Sequence, residues 1–338
     1  MGYRRVVITE FGGPDVLEVV EEAVLPEPGP GEVRVKVQAT SACFTDTMVR
    51  KGVYYGLKQK PPFSPGYDLV GVVDKLGEDV TKFEVGEAVA DLTVWGAYAE
   101  YICRSERSLV PVPAGLDPSE AVSLVLSYVT AHQMLHRSAH MQRGQSILVH
   151  AAGGAVGTAL LQLGRLAGLQ MYGTASEPKH DLVAELGATP IDYRSEDFVA
   201  RVRALTGQGV DAVFDAIGGD NFKRSLASLG PGGKLVAYGF YDSAMGRGGS
   251  VPLEFMRVVL WNFLPNRRST AFYQIGALRK KHPDWFREDL TALFDLLVQG
   301  KIRPVIAKRM ELEEAAQAHR LVEQAAVQGR IVLVVDAN

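Results

Sequence analysis

The segment Ser146–Leu160 limits what this chain can become more than any other. It reads Ser-Ile-Leu-Val-His-Ala-Ala-Gly-Gly-Ala-Val-Gly-Thr-Ala-Leu. Ser146–His150 has the length and apolar character of a short buried strand. Val156, Ala159, Leu160, Leu163, Leu166 and Ala167 then repeat at helical spacing. Between the two, Gly153, Gly154 and Gly157 permit a sharp turn and a close approach of the backbone to a ligand, and Ala155 and Val156 open the helix. A helix start offers free N–H groups and the positive end of its dipole, so this unit suits a pyrophosphate. The glycines depart from a strict GxGxxG, and the context therefore carries the weight. That context is strand–helix alternation. Strands are expected at Gln170–Ala175, Val210–Ala216 and Lys234–Gly239, and helices at Lys179–Leu186 and Phe222–Leu229. Such alternation predicts an α/β fold with a doubly wound parallel sheet.

The N-terminal third reads differently. In Gly31–Thr40, Val33, Val35, Val37 and Ala39 alternate with Arg34, Lys36 and Gln38, the period of a half-buried strand. Asp68–Leu76, Ala88–Leu92 and Ala97–Arg104 are further strands, with glycines at 71, 77, 86 and 96. Short strands with glycine breaks predict a small barrel or sandwich. After Pro113, Asp117-Pro118-Ser119-Glu120 has the form of a helix start. Towards the end come helices Arg287–Gln299 and Glu313–Gln324 and a strand Arg330–Val335. A length of 338 residues fits two domains. The 36 basic and 39 acidic residues give a net charge of −3, against a duplex-binding protein. Two cysteines, Cys43 and Cys103, form neither a disulfide framework nor a cysteine-rich zinc module. No apolar run approaches the ~20 residues a membrane span requires. The opening Met-Gly-Tyr-Arg-Arg lacks the form of a signal peptide, and the cytosol is the expected compartment.

The end of the second strand bears on the choice of dinucleotide. A ribose-binding acid belongs there, roughly 20 residues past the first glycine. Here the strand closes Gly173-Thr174-Ala175-Ser176, which is neutral, and Glu177, Pro178 and Lys179 follow. A hydroxyl and a lysine suit a 2′-phosphate, so NADPH is favoured over NADH, with Glu177 the one residue of opposite tendency. His132, His136 and His140 fall at i, i+4 and i+8, the spacing of a helical metal stripe, but no carboxylate flanks them and a solvated helix face is expected. Arg267, Arg268, Arg279, Lys280 and Lys281 form a basic stretch read as solvated surface.

Taken in order, several short motifs resemble one family. They are Phe11–Leu17, Pro65-Gly66-Tyr67-Asp68-Leu69-Val70-Gly71, Ala151–Gly157, Gly187-Ala188, Asp192-Tyr193-Arg194, Gly209–Asp215, Gly218-Gly219, Gly232–Val236 and Gly329–Leu333. The chain resembles the zinc-independent medium-chain dehydrogenases/reductases of the quinone oxidoreductase (zeta-crystallin-like) type. The resemblance implies a GroES-like catalytic domain, residues 1–122 and 300–338, and a Rossmann nucleotide-binding domain, residues 123–299. It implies that Ser176, Lys179 and Tyr193 grip the adenosine 2′-phosphate, and that Tyr128 and Thr130 lie beside the nicotinamide. Phe240 and Phe263 are implied to border the nicotinamide end, and Gly218 and Arg330 also fall at cofactor positions. Family members are commonly homodimers.

The zinc-dependent relatives carry Cys in a C-x-T-D segment, His-Glu after the Pro-Gly turn, and a third ligand further on. This chain has Cys43-Phe44-Thr45-Asp46, then Tyr67 and Asp68, then Ser127. A catalytic zinc needs three protein ligands and an open position, so no metal is expected. Without a Lewis acid the easier hydride acceptors are quinones and α,β-unsaturated carbonyls, which need only orientation and hydrogen-bond donors towards the developing oxyanion. Tyr54 is the first candidate donor and Thr130 the second. Cys43, where the family usually has Asn, is a small residue of the pocket wall. An NADPH-dependent quinone or enone reductase is therefore the expected function. The alternatives are a 2-enoyl thioester reductase and an NADPH-binding structural or regulatory protein with vestigial activity.

Overall fold

The computed structural model describes residues 2–247, 249–263 and 268–335; Arg267 of the basic stretch lies outside them. In chain order the strands are β1 (Tyr3–Ile8), β2 (Leu17–Glu22), β3 (Glu32–Ala42), β4 (Leu69–Leu76), β5 (Ala88–Asp91), β6 (Tyr101–Ser105), β7 (Val110–Pro111), β8 (Ser146–Val149), β9 (Gln170–Ala175), β10 (Thr189–Asp192), β11 (Val210–Asp215), β12 (Leu229–Ala237), β13 (Ser269–Phe272), β14 (Ile306–Glu311) and β15 (Arg330–Val334). They divide between two compact units, Met1–Ser127 with Leu290–Asn338, and Tyr128–Asp289.

In the first unit, β1 and β2 pair as an antiparallel hairpin. The main sheet runs β14-β15-β3-β4-β5-β7, with β6 also on β3. The period-two pattern of β3 is realised: Val33, Val35 and Val37 are fully buried, among Leu69, Val73, Val89 and Leu333. Gly71 is obligatory where β4 crosses β3, because a Cβ there would meet the Lys36 carbonyl oxygen at 2.3 Å. The expected helix start at Asp117 holds, since its carboxylate accepts from the Glu120 amide at 2.9 Å.

The second unit is a six-stranded sheet in the order β10-β9-β8-β11-β12-β13. Every adjacent pair is parallel. Numbered from β8, this is the 3-2-1-4-5-6 order of a doubly wound dinucleotide fold, and the order reverses between β8 and β11. Its core gathers Leu148, Ile191, Phe198, Val213, Phe222 and Leu235. The α/β, GroES-like plus Rossmann reading of the sequence therefore stands. Of the histidine stripe, His132 and His136 share a helical face, their rings 4.6 Å apart. The backbone is α-helical over Val129–His132 and π-helical over Gln133–Ser138, and His140 sits at φ +56° beyond it. His132 also faces Asp289 at 3.3 Å.

Candidate active site

The glycine turn is built as the chemistry requires. Gly154 caps helix Ala155–Leu166 from an extended conformation, and its amide donates to the Ala151 carbonyl at 2.9 Å. Gly157 lies in the first turn. A Cβ there would fall 2.3 Å from the Ala151 oxygen and 2.6 Å from the Ala152 oxygen, both rigid backbone. Only glycine lets the helix start so close to the strand exit. Gly154, Ala155 and Val156 are half-exposed, whereas Gly153 and Gly157 are buried. The first amides of the helix have no intrahelical acceptor, so this edge offers donors to an anion.

Beyond β9 the chain turns through Ser176, which caps the short turn Glu177–Lys179. The aliphatic stem of Lys179 folds over Gly153, its Cδ 2.9 Å from where a Cβ would stand. Burial lowers the proton affinity of the Lys179 amine, and the positive charge of Arg194 lowers it further. The Arg194 guanidinium lies over the Tyr193 ring at 5.8 Å from the centroid, and Tyr193 is half exposed. Two cations and a hydroxyl therefore gather where β9 and β10 end. Mutual repulsion of this kind is relieved by a dianion. Glu177 is on the exposed side of its turn.

The other residues expected at the cofactor are placed unevenly. Gly218, at φ +82°, stands at the end of β11, its Cβ position 3.2 Å from the Phe240 Cα. The Phe240 ring packs against Phe222 at 5.9 Å and Phe272 at 5.1 Å. Phe263 is 80% exposed on the turn Trp261–Phe263. Tyr128 is buried at 2% exposure. Thr130, named as the second donor, is buried, and the Tyr273 hydroxyl donates to Gln133 Oε1 at 2.9 Å.

In the first unit Cys43, Asp46, Tyr54, Tyr67, Asp68 and Arg330 form a polar cluster. Cys43 caps helix Phe44–Arg50. Its thiol donates to Asp46 Oδ2 at 2.9 Å, and its amide donates to the same oxygen at 3.0 Å. Asp46 Oδ1 accepts from the Gly66 amide at 3.2 Å. Burial pushes the Asp46 carboxyl up to about 7, against the hydrogen bonds from Cys43. Burial, then the nearby Asp46, pushes the Cys43 thiol well up, so it stays protonated. Tyr54 and Tyr67 share a hydroxyl–hydroxyl bond of 2.8 Å with their rings edge to face. Burial also raises Tyr67 well above the ordinary phenol value. Asp68 accepts from Ser41 Oγ at 2.5 Å and pairs with Arg330. Arg330, expected at the cofactor, is 3% exposed, and its guanidinium donates to Asp68, Ser41 and Ser127. We therefore read it as a positioning residue of this cluster.

A second buried chain lies behind. Arg50 Nη1 donates to His319 Nδ1 at 3.0 Å, so the ring proton sits on Nε2, 3.1 Å from Tyr98 Oη. Burial, reinforced by Arg50, lowers the imidazole to about 3.

Comparison with known proteins fits this geometry. Residues 29–114 match the family described as "Alcohol dehydrogenase GroES-like domain", and residues 186–333 match "Zinc-binding dehydrogenase". The chain is 32% identical over 345 residues to the synaptic vesicle membrane protein VAT-1 homolog of Danio rerio, covering 99% of this chain and 70% of that protein. It is 30% identical over 342 residues to the quinone oxidoreductase of Rattus norvegicus, covering 98% and 97%. The chain belongs to the quinone oxidoreductase family of medium-chain dehydrogenases/reductases. A family structure, the Escherichia coli quinone oxidoreductase complexed with NADPH, superposes with a TM-score of 0.88 at 27% identity, covering 98% of this chain and 99% of that one.

Within this oxidoreductase family, the positions where zinc-dependent relatives hold their ligands are chemically committed here. The Cys43 thiol is bonded to Asp46, Tyr67 to Tyr54, and Asp68 to Arg330. Zinc binding demands a deprotonated thiolate and two further N, S or O ligands. These residues present a protonated thiol, a phenol and an ion-paired carboxylate, a set that does not fit the metal.

Proposed function

We propose that the chain is an NADPH-dependent reductase of quinones or conjugated enones that works without a metal. The observation that carries the reading is the lysine folded over the glycine turn. Lys179 lies across Gly153 with Arg194 and Ser176 beside it, next to a helix start that only Gly157 permits. A phosphorylated dinucleotide fits both features. The backbone N–H groups at Gly154–Val156 would hold the pyrophosphate, while Lys179, Arg194 and Ser176 would hold the 2′-phosphate, with Tyr193 at the adenosine edge. NADPH, when bound, supplies the hydride.

The chain's own residues orient the acceptor and receive the charge that develops on its oxygen. Tyr54, the more exposed phenol of the pair, would donate to that oxygen, and Tyr67 fixes its orientation through their shared bond. Burial keeps the proton on Tyr67, which would donate it to the Tyr54 oxygen and leave the Tyr54 hydroxyl proton for the oxyanion. Cys43 and Asp46 shape the wall beside them. A quinone or enone yields a delocalised phenolate or enolate that such donors can stabilise. We place the enzyme in the cytosol as a homodimer; among the described residues no helix is long and apolar enough to cross a membrane.

Loss of NADPH absorbance with panels of 1,4-quinones, enones and crotonyl thioesters tests the reading. Turnover with quinones or enones is expected, and Tyr54→Phe should lower kcat about tenfold to a hundredfold by removing one oxyanion donor. Turnover on thioesters alone would replace the reading with an acyl-thioester reductase. NADPH binding without turnover on any panel would favour a regulatory protein.

A further inference from the structure

His150, Thr174, Ser225 and Asp215 come from four separate segments and meet at one end of the parallel sheet. His150 follows β8, Thr174 lies near the end of β9, and Asp215 closes β11. Ser225 belongs to helix Asp220–Ser228. All four are buried, none more than 3% exposed. Their hydrogen bonds define one direction. Ser225 Oγ donates to Asp215 Oδ2 at 2.6 Å. A hydroxyl has one proton, so its oxygen accepts from His150 Nε2 at 2.9 Å. The ring proton is therefore on Nε2, and Nδ1 accepts from Thr174 Oγ1, also at 2.9 Å. Burial keeps this imidazole neutral.

Asp215 is where the chain of donors ends and the backbone begins. Its Oδ1 accepts from the amides of Ile217 at 2.7 Å and Gly218 at 3.3 Å, and its Oδ2 accepts from Asn221 Nδ2 at 2.9 Å. These bonds, with the Gly219 amide donating to Glu254 Oε2 at 2.9 Å, set a turn in which Gly218 and Gly219 take φ +82° and +60°. The turn follows β11, the strand paired with β8 where the strand order reverses. His150 is tied there a second time, its amide donating to the Phe214 carbonyl at 3.0 Å. In open parallel sheets ligands bind outside the carboxyl ends of the strands at this reversal.

We propose that the Thr174–His150–Ser225–Asp215 relay is a positioning device that fixes the Ile217–Gly219 backbone against the bound dinucleotide. The identity of that dinucleotide rests on the NADPH reading above; the relay and the turn do not. The relay residues are buried, so they act through the turn. Pre-set backbone of this kind raises affinity by removing an ordering cost from binding.

Two variants and a rescue test it. His150→Leu removes the donor to Ser225, Ser225→Ala removes the link to Asp215, and His150→Gln keeps an N–H near the position of Nε2. Amide hydrogen exchange of the full chain without ligand reads the turn directly. Exchange at Ile217 and Gly218, whose amides Asp215 accepts, should rise about tenfold in His150→Leu and Ser225→Ala, the size of one hydrogen bond. Exchange in the middle of β11 should be unchanged, and His150→Gln should restore most of the protection. Fluorescence titration should show Kd for NADPH rising by a similar factor, with kcat at saturating NADPH within about twofold. Unchanged exchange at the turn would overturn the proposal. So would exchange rising equally through β11, or an unaltered Kd with a loosened turn. If the unmodified chain binds no dinucleotide, the functional reading falls, and the exchange data still decide whether the relay sets the turn.

Discussion

Replacing Arg330 by Met separates a cofactor ligand from a positioning residue. The guanidinium is 3% exposed and donates to Asp68, Ser41 and Ser127, and Asp68 is fully buried. Arg330→Met leaves the shape of the stem but strands the Asp68 carboxylate without its cation. Removing one partner of a buried pair costs about 3–5 kcal/mol, because an uncompensated charge remains. For a unit of this size, about 2–4 °C accompanies each kcal/mol, so the thermal midpoint should fall by roughly 6–20 °C. Adding Asp68→Asn removes the stranded charge and should recover about 1–3 kcal/mol, a non-additivity typical of contacting residues. Calorimetric melts of the four proteins give the stability cycle, and NADPH titration of each gives the Kd. The account expects Kd to stay within about twofold of the unmodified value, well under the tenfold of one hydrogen bond. A variant as stable as the parent that binds NADPH tenfold more weakly would refute the reasoning and return Arg330 to the cofactor.

Further outcomes follow from the geometry. Lys179→Met should weaken NADPH binding about tenfold to a hundredfold, the worth of a charged hydrogen bond, and leave NADH nearly unaffected in paired titrations. Gly157→Ala drives a Cβ into two carbonyl oxygens and should cost about 1–3 kcal/mol in denaturant melts, along with weaker NADPH binding. Two buried groups of the first unit oppose each other in acid. His319 is depressed to about 3 from 6.5, so its contribution is present above 6.5 and is lost as the pH falls towards 3. Asp46 is raised to about 7 from 3.8, so its contribution is present in acid and is lost as the pH rises towards 7. Between pH 4 and 6.5 the slopes offset. Asp46→Asn should therefore make stability rise with pH across that window, and His319→Gln should make it fall, each by up to about 1.4 kcal/mol per pH unit. Equal slopes in both variants would contradict the assignments.

Local signals made much of this molecule legible. The strand Gln170–Ala175 was readable to the residue, and the glycine turn announced itself, because both depend on neighbours in sequence. β12 begins at Leu229, five residues before the expected Lys234, because Leu229 pairs with Val210 ahead of a bulge over Gly230, Pro231, Gly232 and Gly233, after which pairing with β11 resumes at Lys234. Ala97 and Tyr98 read as strand by alternation, yet they bond back to the loop at Pro65 and Gly66. The histidine spacing could not reveal that the helix ends at Ser138, which leaves His140 beyond it at φ +56°. The polar contacts were least visible. Arg330 meets Asp68 across 262 positions, and His150 meets Ser225 across 75. No periodicity joins such residues; only the folded sheet does.

The central claim is that a phosphorylated nicotinamide dinucleotide serves this chain and that protein donors alone activate the acceptor. Initial rates with one quinone, measured with NADPH and with NADH before and after exhaustive chelation, test it most directly. The account predicts a kcat/KM at least about tenfold higher with NADPH, the worth of one charged contact to the 2′-phosphate, and unaltered by chelation. Equal rates with the two dinucleotides, or turnover that disappears with the chelator and returns with zinc, would contradict it.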